Sequence, residues 1–493
     1  MLSTFLVQTL NGLASASSLF LVAVGLSLIF GVTRIVNFAH GSLYMLGVYV
    51  AYTVATTLGG ALGFWGGVLV AGLVVAVVGL LAEFLILRRI YDAPELLQLI
   101  ATFALVLIIK DAALAIWGPE DLLGPRAPGF TGAIDIFGKA FPTYDLLLIM
   151  LGIAMLFALT ALLKKTRFGL LLRAATQDRE MTDALGVNQK LLFTAVFALG
   201  SFLAGIGGAL QLPREPANLA MDLTIIADVF VGVVVGGLGS LPGAFVAAII
   251  ISLVKAYCIG LGEGTMFGVA FAFSKLTLVA EFIVMAVVLV SRPNGLFGQP
   301  LTHARSAALV APLARPPGRV ALIATVACAI ALALLPMFVD EYTLVLAIDM
   351  MVFALFAASL GLIIGPGGMG SFGHAAYFGL GAYGAALALK LGLGFVAAMG
   401  CGIGLAGVAA WLFGWFSVRL SGTYMAMLTL AFAQIIWSVV FQWDAVTGGS
   451  NGLDGIWPPS LLADRTHFYW MVFAVCGVGL ALCSWLEIGR AHV

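Results

Sequence analysis

Charged residues are scarce in this sequence. Only 9% of its 493 residues are Asp, Glu, Lys or Arg, whereas 62% are hydrophobic; soluble globular proteins carry about 25% charged residues. A soluble fold could not bury so much apolar surface, so lipid is the expected solvent for much of the chain. The 23 basic and 23 acidic residues balance. With no basic run present, nucleic acid is not an expected partner.

Motifs of several enzyme classes are missing as well. The sequence contains no GxxxxGK[ST] phosphate-binding loop and no HExxH zinc motif. The five cysteines lack metal-ligand or redox spacing, and we interpret them as small packing residues. The sequence therefore predicts no enzymatic activity, no cofactor and no metal site.

Long apolar stretches are abundant instead. A helix needs roughly 20 such residues to cross the hydrocarbon core of a bilayer. The stretches lie near 12–32, 38–58, 63–87, 96–117, 145–163, 191–212, 225–256, 276–291, 319–338, 342–365, 372–391, 394–418, 423–443 and 467–486. With 225–256 counted once, they predict an all-α polytopic membrane protein of about 14 transmembrane segments.

Lys and Arg cluster in three regions between these stretches. Residues 164–190 form the densest basic patch, Arg88 and Arg89 end the third stretch, and four arginines lie between 292 and 319. Cytoplasmic loops of membrane proteins are enriched in Lys and Arg. We expect the three regions to be cytoplasmic, the N-terminus to lie outside and the loop 118–144 to face the periplasm.

The stretch 225–256 conflicts with this orientation unless it is interrupted. An even number of crossings must connect 164–190 to residue 292, and an unbroken stretch gives an odd number. Helix-breaking residues lie inside it, namely Gly237, Gly239, Pro242 and Gly243. We predict a broken re-entrant hairpin near 225–256 with two half-length arms, its irregular backbone surrounded by protein or water. The alternative is a further crossing at 259–275.

The chain repeats itself after 334 residues. With this offset, residues 26–51 align without a gap with residues 360–385, and 10 of the 26 positions are identical. The shared residues include His40 and His374, and a shared His in apolar surroundings is improbable by chance. Arg88 and Arg419 fall on the same side of the two copies, so they are parallel pseudo-repeats, with a pathway expected between them.

The two histidines are the first candidate site. An ionisable side chain at membrane depth is costly and usually faces protein or a cavity. His40, with Asn37 and Gly41, and His374, with Gly379, could line the translocation pathway. Alternatively, each His bonds a backbone carbonyl and holds two helices together, and the nearby glycines favour such close packing. Both interpretations stay open.

The basic loop 164–190 is the second candidate. It reads as a short amphipathic helix followed by Gly186. Its charges lie among Ala, Leu and Met, as expected for a helix that docks into a groove of a partner protein. An ordinary solvated loop is the alternative.

Several motifs resemble those of the permease subunits of branched-chain amino-acid ABC importers. Motifs of the first-type subunit are NFAHG (37–41), GGLGSLPG (236–243) and RPNGLFG (292–298). Motifs of the second-type subunit are SFGHAAYFG (371–379), RLSGTY (419–424) and TGGSNGL (447–453). Together they cover nearly the whole chain, which therefore resembles a fusion of both subunits of the Liv (high-affinity branched-chain amino-acid) type.

The resemblance implies how the fusion is organised and what it works with. Residues 1–298 would be the first permease module, 299–318 a cytoplasmic linker and 319–487 the second module. Cytoplasmic ATP-binding subunits would drive the import of amino acids, delivered by a periplasmic substrate-binding protein, across the bacterial inner membrane by alternating access. The loop 164–190 would be the coupling helix, and its matching positions are Arg173, Asp178, Glu180, Asp183 and Gly186.

The end of the sequence departs from this pattern. A second coupling loop is expected directly after 467–486, but residues 488–493 read IGRAHV, the translation of a common sequencing adapter. We expect a non-native tail and a second module truncated before its coupling loop. The chain as written is then expected not to sustain transport.

Two alternative functions would require other residues than those present. Urea or short-amide importers have closely related permeases, but their first subunit tends to have Met where this chain has Phe38. An ion-coupled secondary carrier would need intramembrane acidic residues, and those present show no pattern repeated between the halves.

Overall fold

The chain folds into two compact units, residues 1–300 and 301–493. The structure, a computed structural model, describes residues 2–91, 93, 95–136, 138–266, 269–298, 318–365, 367–420 and 422–490. All of the expected linker 299–318 except Gly318, and the last three residues of the expected tail, lie outside these described residues. Twelve described helices are long and apolar enough to cross a membrane, and the fold is all-α apart from two short β-hairpins.

The first unit is a bundle of eleven described helices. They are α1 (Leu2–Thr33), α2 (Ala39–Leu58), α3 (Gly60–Leu85), α4 (Glu95–Trp117), α5 (Thr143–Lys165), α6 (Arg167–Gln177), α7 (Arg179–Ala184), α8 (Gln189–Ala209), α9 (Met221–Gly236), α10 (Leu241–Leu261) and α11 (Thr277–Ser291). The strands β1 (Ala133–Ile136) and β2 (Lys139–Pro142) pair antiparallel within the loop 118–144. The strands β3 (Glu263–Met266) and β4 (Val269–Ala272) pair likewise, where the alternative prediction placed a crossing.

Helix α1 is the centre of the first unit. Every residue from Ala16 to Phe30 is buried, and the helix packs against α5, α8, α9 and α10. Glycines allow the closest approach: a Cβ built on Gly200 of α8 would lie only 2.6 Å from the side chain of Ile29. Because lipid is as apolar as these side chains, close packing of this kind holds membrane helices together.

The chain reverses direction between α9 and α10. Gly237 and Gly239 have φ angles of 103° and 82°, a region that favours glycine. Helix α10 then begins with Pro242 in its first turn, and the Ser240 hydroxyl accepts a hydrogen bond from the Gly243 nitrogen at 3.2 Å. The arms have 16 and 21 residues, so they are longer than the half-length pieces expected from the sequence.

The reversal lies beside the C-terminal end of α1. A Cβ built on Gly239 would lie 3.1 Å from the Cα of Gly31. The backbone after α11 closes over it, because the nitrogens of Leu296 and Phe297 donate to the carbonyls of Val235 and Gly236 at 2.8 and 3.0 Å.

The connection that precedes α9 lies at the opposite end of α1. Ala217 pairs there with Leu122 of the loop 118–144, and Lys139 in the same loop donates to Thr4 near the start of α1 at 2.8 Å. Helices α9 and α10 therefore run the length of the unit in opposite directions. Together with α8 and α11 they give an even number of traverses, as the predicted orientation requires.

The second unit contains seven described helices. They are α12 (Arg319–Leu334), α13 (Glu341–Ile364), α14 (His374–Lys390), α15 (Phe395–Ser417), α16 (Gly422–Gln442), α17 (Asp444–Thr447) and α18 (Arg465–Arg490). A core cluster joins Leu344 and Met351 of α13 to Tyr469 and Val472 of α18. Helices α12 and α14 have 16 and 17 residues, and α14 is shorter than the span predicted at 372–391 because the glycine-rich chain before His374 is not helical.

The order of elements repeats between the two units. Helix α2 begins at Ala39 and α14 at His374, which is within one residue of the offset seen in the sequence. Helices α3 and α15 correspond in the same way. The internal repeat therefore extends from individual residues to whole helices.

Candidate functional site

His40 lies at the start of α2 and is completely enclosed, with 0% of its surface exposed. Its Nε2 is 3.0 Å from the carbonyl oxygen of Val22 in α1. A Cβ built on Gly25 would lie 3.1 Å from the ring, so the imidazole fits beside α1 because Gly25 has no side chain. Because the ring has no exposed surface, this geometry favours helix packing over pathway lining.

His374 makes the equivalent contact through a hydroxyl group. Its Nε2 is 2.8 Å from the Ser359 hydroxyl of α13, and that hydroxyl donates to the Phe356 carbonyl at 2.7 Å. Ser359 and Phe356 stand 334 residues after Gly25 and Val22. The serine therefore occupies the space that Gly25 leaves open in the first unit and links the ring to the corresponding carbonyl.

The other residues predicted beside the histidines differ in their packing. Asn37 is buried, and its Oδ1 accepts a hydrogen bond from the Ala39 nitrogen at 3.1 Å, which stabilises the start of α2. A Cβ built on Gly41 would overlap the Asp222 carbonyl at the start of α9. A Cβ on Gly379 would meet no described atom within 4 Å, so Gly379 is not a close-packing position among the described residues.

The helix-break residues pack against the motif that closes the first unit. A Cβ built on Gly237 would overlap the backbone of Gly298, and one on Gly243 would overlap the carbonyl of Gly236. Both motifs stand out in the sequence, but nothing in their spacing indicates that they touch. Only the fold brings them together.

The loop 164–190 contains two short helices instead of the single one predicted. The Thr166 hydroxyl accepts from the Gly169 nitrogen at 3.2 Å and starts α6. Asp178 accepts from the Met181 nitrogen at 2.9 Å and starts α7. Gly186 follows α7 with a φ of 83°, a conformation that ends helices.

The predicted coupling positions play different parts in this loop. Arg173 donates from its guanidinium to the Leu163 carbonyl, which ties α6 to the end of α5. Asp183 lies on the exposed part of α7, and the side chain of Glu180 lies outside the described residues. Around these positions large apolar side chains are exposed on Leu170, Met181 and Leu185. Exposed apolar groups rimmed by charge mark a surface that contacts another protein or the membrane.

A buried carboxylate connects the helix after this loop to α3. Glu83 has no exposed surface and accepts from Arg88 at 3.2 and 3.1 Å, from Tyr91 at 2.9 Å and from Thr194 of α8 at 2.9 Å. Arg88 also bonds Thr194. The sequence indicates the local pair through the spacing of Glu83 and Arg88, but not the distant partner on α8.

The two units match the same family of known proteins. A family model described as "Branched-chain amino acid transport system / permease component" matches residues 8–290 and 342–486. The matches begin 334 residues apart, at residues 8 and 342, which is the offset of the internal repeat.

Individual relatives agree with this match. The high-affinity branched-chain amino acid transport system permease protein BraD of Pseudomonas aeruginosa is 26% identical over 308 residues, covering 60% of this chain and 96% of BraD. The probable permease protein LivH of Methanocaldococcus jannaschii is 30% identical over 293 residues, 57% of this chain and 88% of the relative. LivM of Escherichia coli is 31% identical over 127 residues, 26% and 30% of the two chains. No solved structure matches the chain.

Proposed function

Since the chain belongs to the family of branched-chain amino acid transport permeases, we propose that it is the membrane-embedded part of an ABC importer for branched-chain amino acids, in which both permease modules are fused. The observation that carries this function is the double family match at the offset of the internal repeat. The relatives named above are the branched-chain amino acid transport permease proteins BraD, LivH and LivM. They favour amino-acid import over the urea alternative.

Separate ATP-binding subunits are proposed to dock on α6 and α7. A permease without a phosphate-binding loop needs an external source of energy. The exposed side chains of Leu170, Met181 and Leu185 give these helices an apolar surface that would fill a groove of a partner. A periplasmic substrate-binding protein is the second proposed partner.

The contacts around the loop suggest how movement would spread from it. Arg173 connects α6 to α5, and Glu83 connects the start of α8 to α3. A displacement of α6 and α7 by the ATP-binding subunits would therefore act on α5 and α8 together. Such rigid connections are what alternating access requires of a coupling element.

ATPase measurements on the complex test this function. The chain would be incorporated into lipid nanodiscs with its ATP-binding subunits and mixed with the substrate-binding protein, either empty or loaded with leucine. We expect the leucine-loaded protein to stimulate ATP hydrolysis more than the empty one. Stimulation by a urea-loaded protein alone would support the urea importer, and gradient-driven uptake without ATP would identify a secondary carrier.

A further inference from the structure

The first unit contains a polar cavity of about 570 Å³. It lies among the N-terminal half of α1, α2, the segment 210–220, α9 and α10, on the side of the unit that the charge distribution assigns to the periplasm. Cavities that bind small molecules measure about 300–1,000 Å³. The cavity is therefore large enough for an amino acid.

Charged groups of both signs line this cavity. Lys255 of α10 lies 2.8 Å from Asp228 of α9 and 2.7 Å from Glu281 of α11, so a single cation faces two carboxylates. Arg214 lies 3.4 Å from Asp145, and the adjacent Glu215 is exposed. About a quarter of each side chain of Arg214, Asp228 and Lys255 is accessible, 25%, 26% and 25% respectively.

Apolar side chains complete the walls. Leu19 of α1, Ile225 of α9 and Ile251 of α10 line the same space as the charged groups. The ion pairs of Lys255 join α10 to α9 and α11, and this structural role is enough to explain the presence of Lys255. The same structural role does not explain why Arg214 and Glu215 line one cavity together with Asp228, Lys255 and these apolar side chains. Ionisable residues within membrane bundles are costly and point to a functional site.

We propose that this cavity holds a zwitterionic amino acid with an apolar side chain on its way across the membrane. Arg214 binds the carboxylate, Asp228 and Glu215 bind the ammonium group, and the side chain contacts Leu19 and Ile225. The proposal rests on the proposed function, since it takes the substrate class from there and adds a site inside the first unit. A simple amine or a simple carboxylate satisfies only one half of this site.

Thiol protection provides the test. Thr224 lines the cavity and is exposed, so Thr224→Cys offers a thiol at the site. Its rate of reaction with a small neutral methanethiosulfonate would be measured on the whole chain in nanodiscs, with the unaltered chain as the background for its five cysteines. We expect leucine to slow the reaction in a saturable way, and isopentylamine and isovalerate at equal concentration to slow it much less.

Matched variants and controls locate the effect. Thr131→Cys is an exposed position in the loop 118–144, and leucine should leave its reaction rate unchanged. Added to Thr224→Cys, Glu215→Gln should raise the leucine concentration for half protection about tenfold, equivalent to about 1.4 kcal/mol. Glu120→Gln, an exposed carboxylate away from the cavity, should not raise it. Arg214→Gln should have an effect that Arg214→Lys partly restores.

The site and the proposed function can fail separately. Equal protection by leucine, isopentylamine and isovalerate, no protection by leucine, or equal effects of Glu215→Gln and Glu120→Gln would overturn the site. ATPase stimulation by the leucine-loaded binding protein, measured on the same nanodiscs, reports on the function alone. If leucine-loaded binding protein stimulates ATP hydrolysis but leucine does not protect the thiol at position 224, the proposed function stands and the cavity site is wrong.

Discussion

His40 and His374 occupy the same position of the repeat but reach their helix partners differently. In the first unit the ring contacts the Val22 carbonyl directly because Gly25 has no side chain. In the second unit the Ser359 hydroxyl lies between ring and carbonyl. The shared element is a bond between corresponding pairs of helices, α2 with α1 in the first unit and α14 with α13 in the second. The sequence predicted this interpretation as one of two, but it could not show how completely His40 is enclosed.

Replacing His40 by Ala should lower stability more than replacing His374. His40→Ala removes a fully buried ring and its bond to the Val22 carbonyl, at a cost of about 2–4 kcal/mol. His374 is only half-buried, so its loss should cost less. Thermal unfolding of the purified chain in detergent would show the larger decrease in Tm for His40→Ala. An unchanged Tm together with lost leucine-dependent stimulation of ATP hydrolysis in the complex would instead support a role on the pathway.

Gly47 should be intolerant of any side chain. A Cβ at this position of α2 would overlap the backbone of Gly205 in α8. Overpacking of this kind costs about 1–3 kcal/mol, so Gly47→Ala should lower the Tm. Gly66 of α3 is the matched control, because a Cβ there meets no described atom within 4 Å. Gly66→Ala should be neutral or stabilising by up to about 1 kcal/mol, and equal effects of the two substitutions would contradict this account of the helix contact.

Helix α7 begins at a single capping side chain, that of Asp178. It has six residues, too few to be stable without a cap, and Asp178 provides that cap. Asp178→Ala should cost about 1 kcal/mol and speed backbone hydrogen exchange in α7. Asp178→Asn keeps an accepting oxygen and should preserve the helix.

A binding measurement with the ATP-binding subunits would distinguish two roles of Asp178, capping of α7 and recognition of its charge. If the folded helix is what they recognise, Asp178→Asn should bind like the original chain and Asp178→Ala more weakly. Equal loss of binding in both variants would show that the carboxylate charge itself is recognised. Quantitative pull-down from nanodiscs measures this difference.

The hydrogen bond between Thr194 of α8 and Glu83 of α3 is the second contact between elements that can be tested. Glu83→Gln would leave Arg88 without its buried carboxylate. Because Arg88 is 26% exposed, water can compensate in part, and we expect a loss of about 2 kcal/mol, below the 3–5 kcal/mol typical of a broken buried pair. Hydrogen exchange should increase in the first turns of α8. Glu120→Gln, an exposed control, should change neither quantity.

The helices were more predictable than the contacts between them. Apolar runs indicate where most spans lie, since lipid demands about 20 such residues, and glycine and proline indicate the break at Gly237. The strands β1 to β4 lack an extended alternation of apolar and polar residues, so the sequence does not predict them. Contacts such as Glu83 with Thr194 depend on how helices far apart in sequence meet. No local pattern encodes that arrangement.

For the whole molecule, the distribution of Lys and Arg makes a direct prediction of orientation. In a cysteine-free background, Thr131→Cys in the loop 118–144 should react with a membrane-impermeant maleimide in intact spheroplasts. Gln177→Cys, at the exposed end of α6, should react only after permeabilisation, because the basic loop 164–190 is expected to be cytoplasmic. The reverse pattern would contradict the assigned orientation.

The repeat explains the organisation of the whole chain. Helices α1, α2 and α3 correspond to α13, α14 and α15, and both units match one family of permeases. The sequence predicted this arrangement because the 334-residue offset is visible in the motifs themselves. The cavity of the first unit was not predictable, since its charged residues come from several distant segments.

The contact between the α9–α10 turn and residues 296–297 has a consequence for biosynthesis. The carbonyls of Val235 and Gly236 end α9 and accept hydrogen bonds from the nitrogens of Leu296 and Phe297, so these two bonds cannot form until about sixty further residues have left the ribosome. The first unit therefore cannot complete its fold before residues 292–298 have been translated. These residues precede every described helix of the second unit, so the first unit can close before those helices are made.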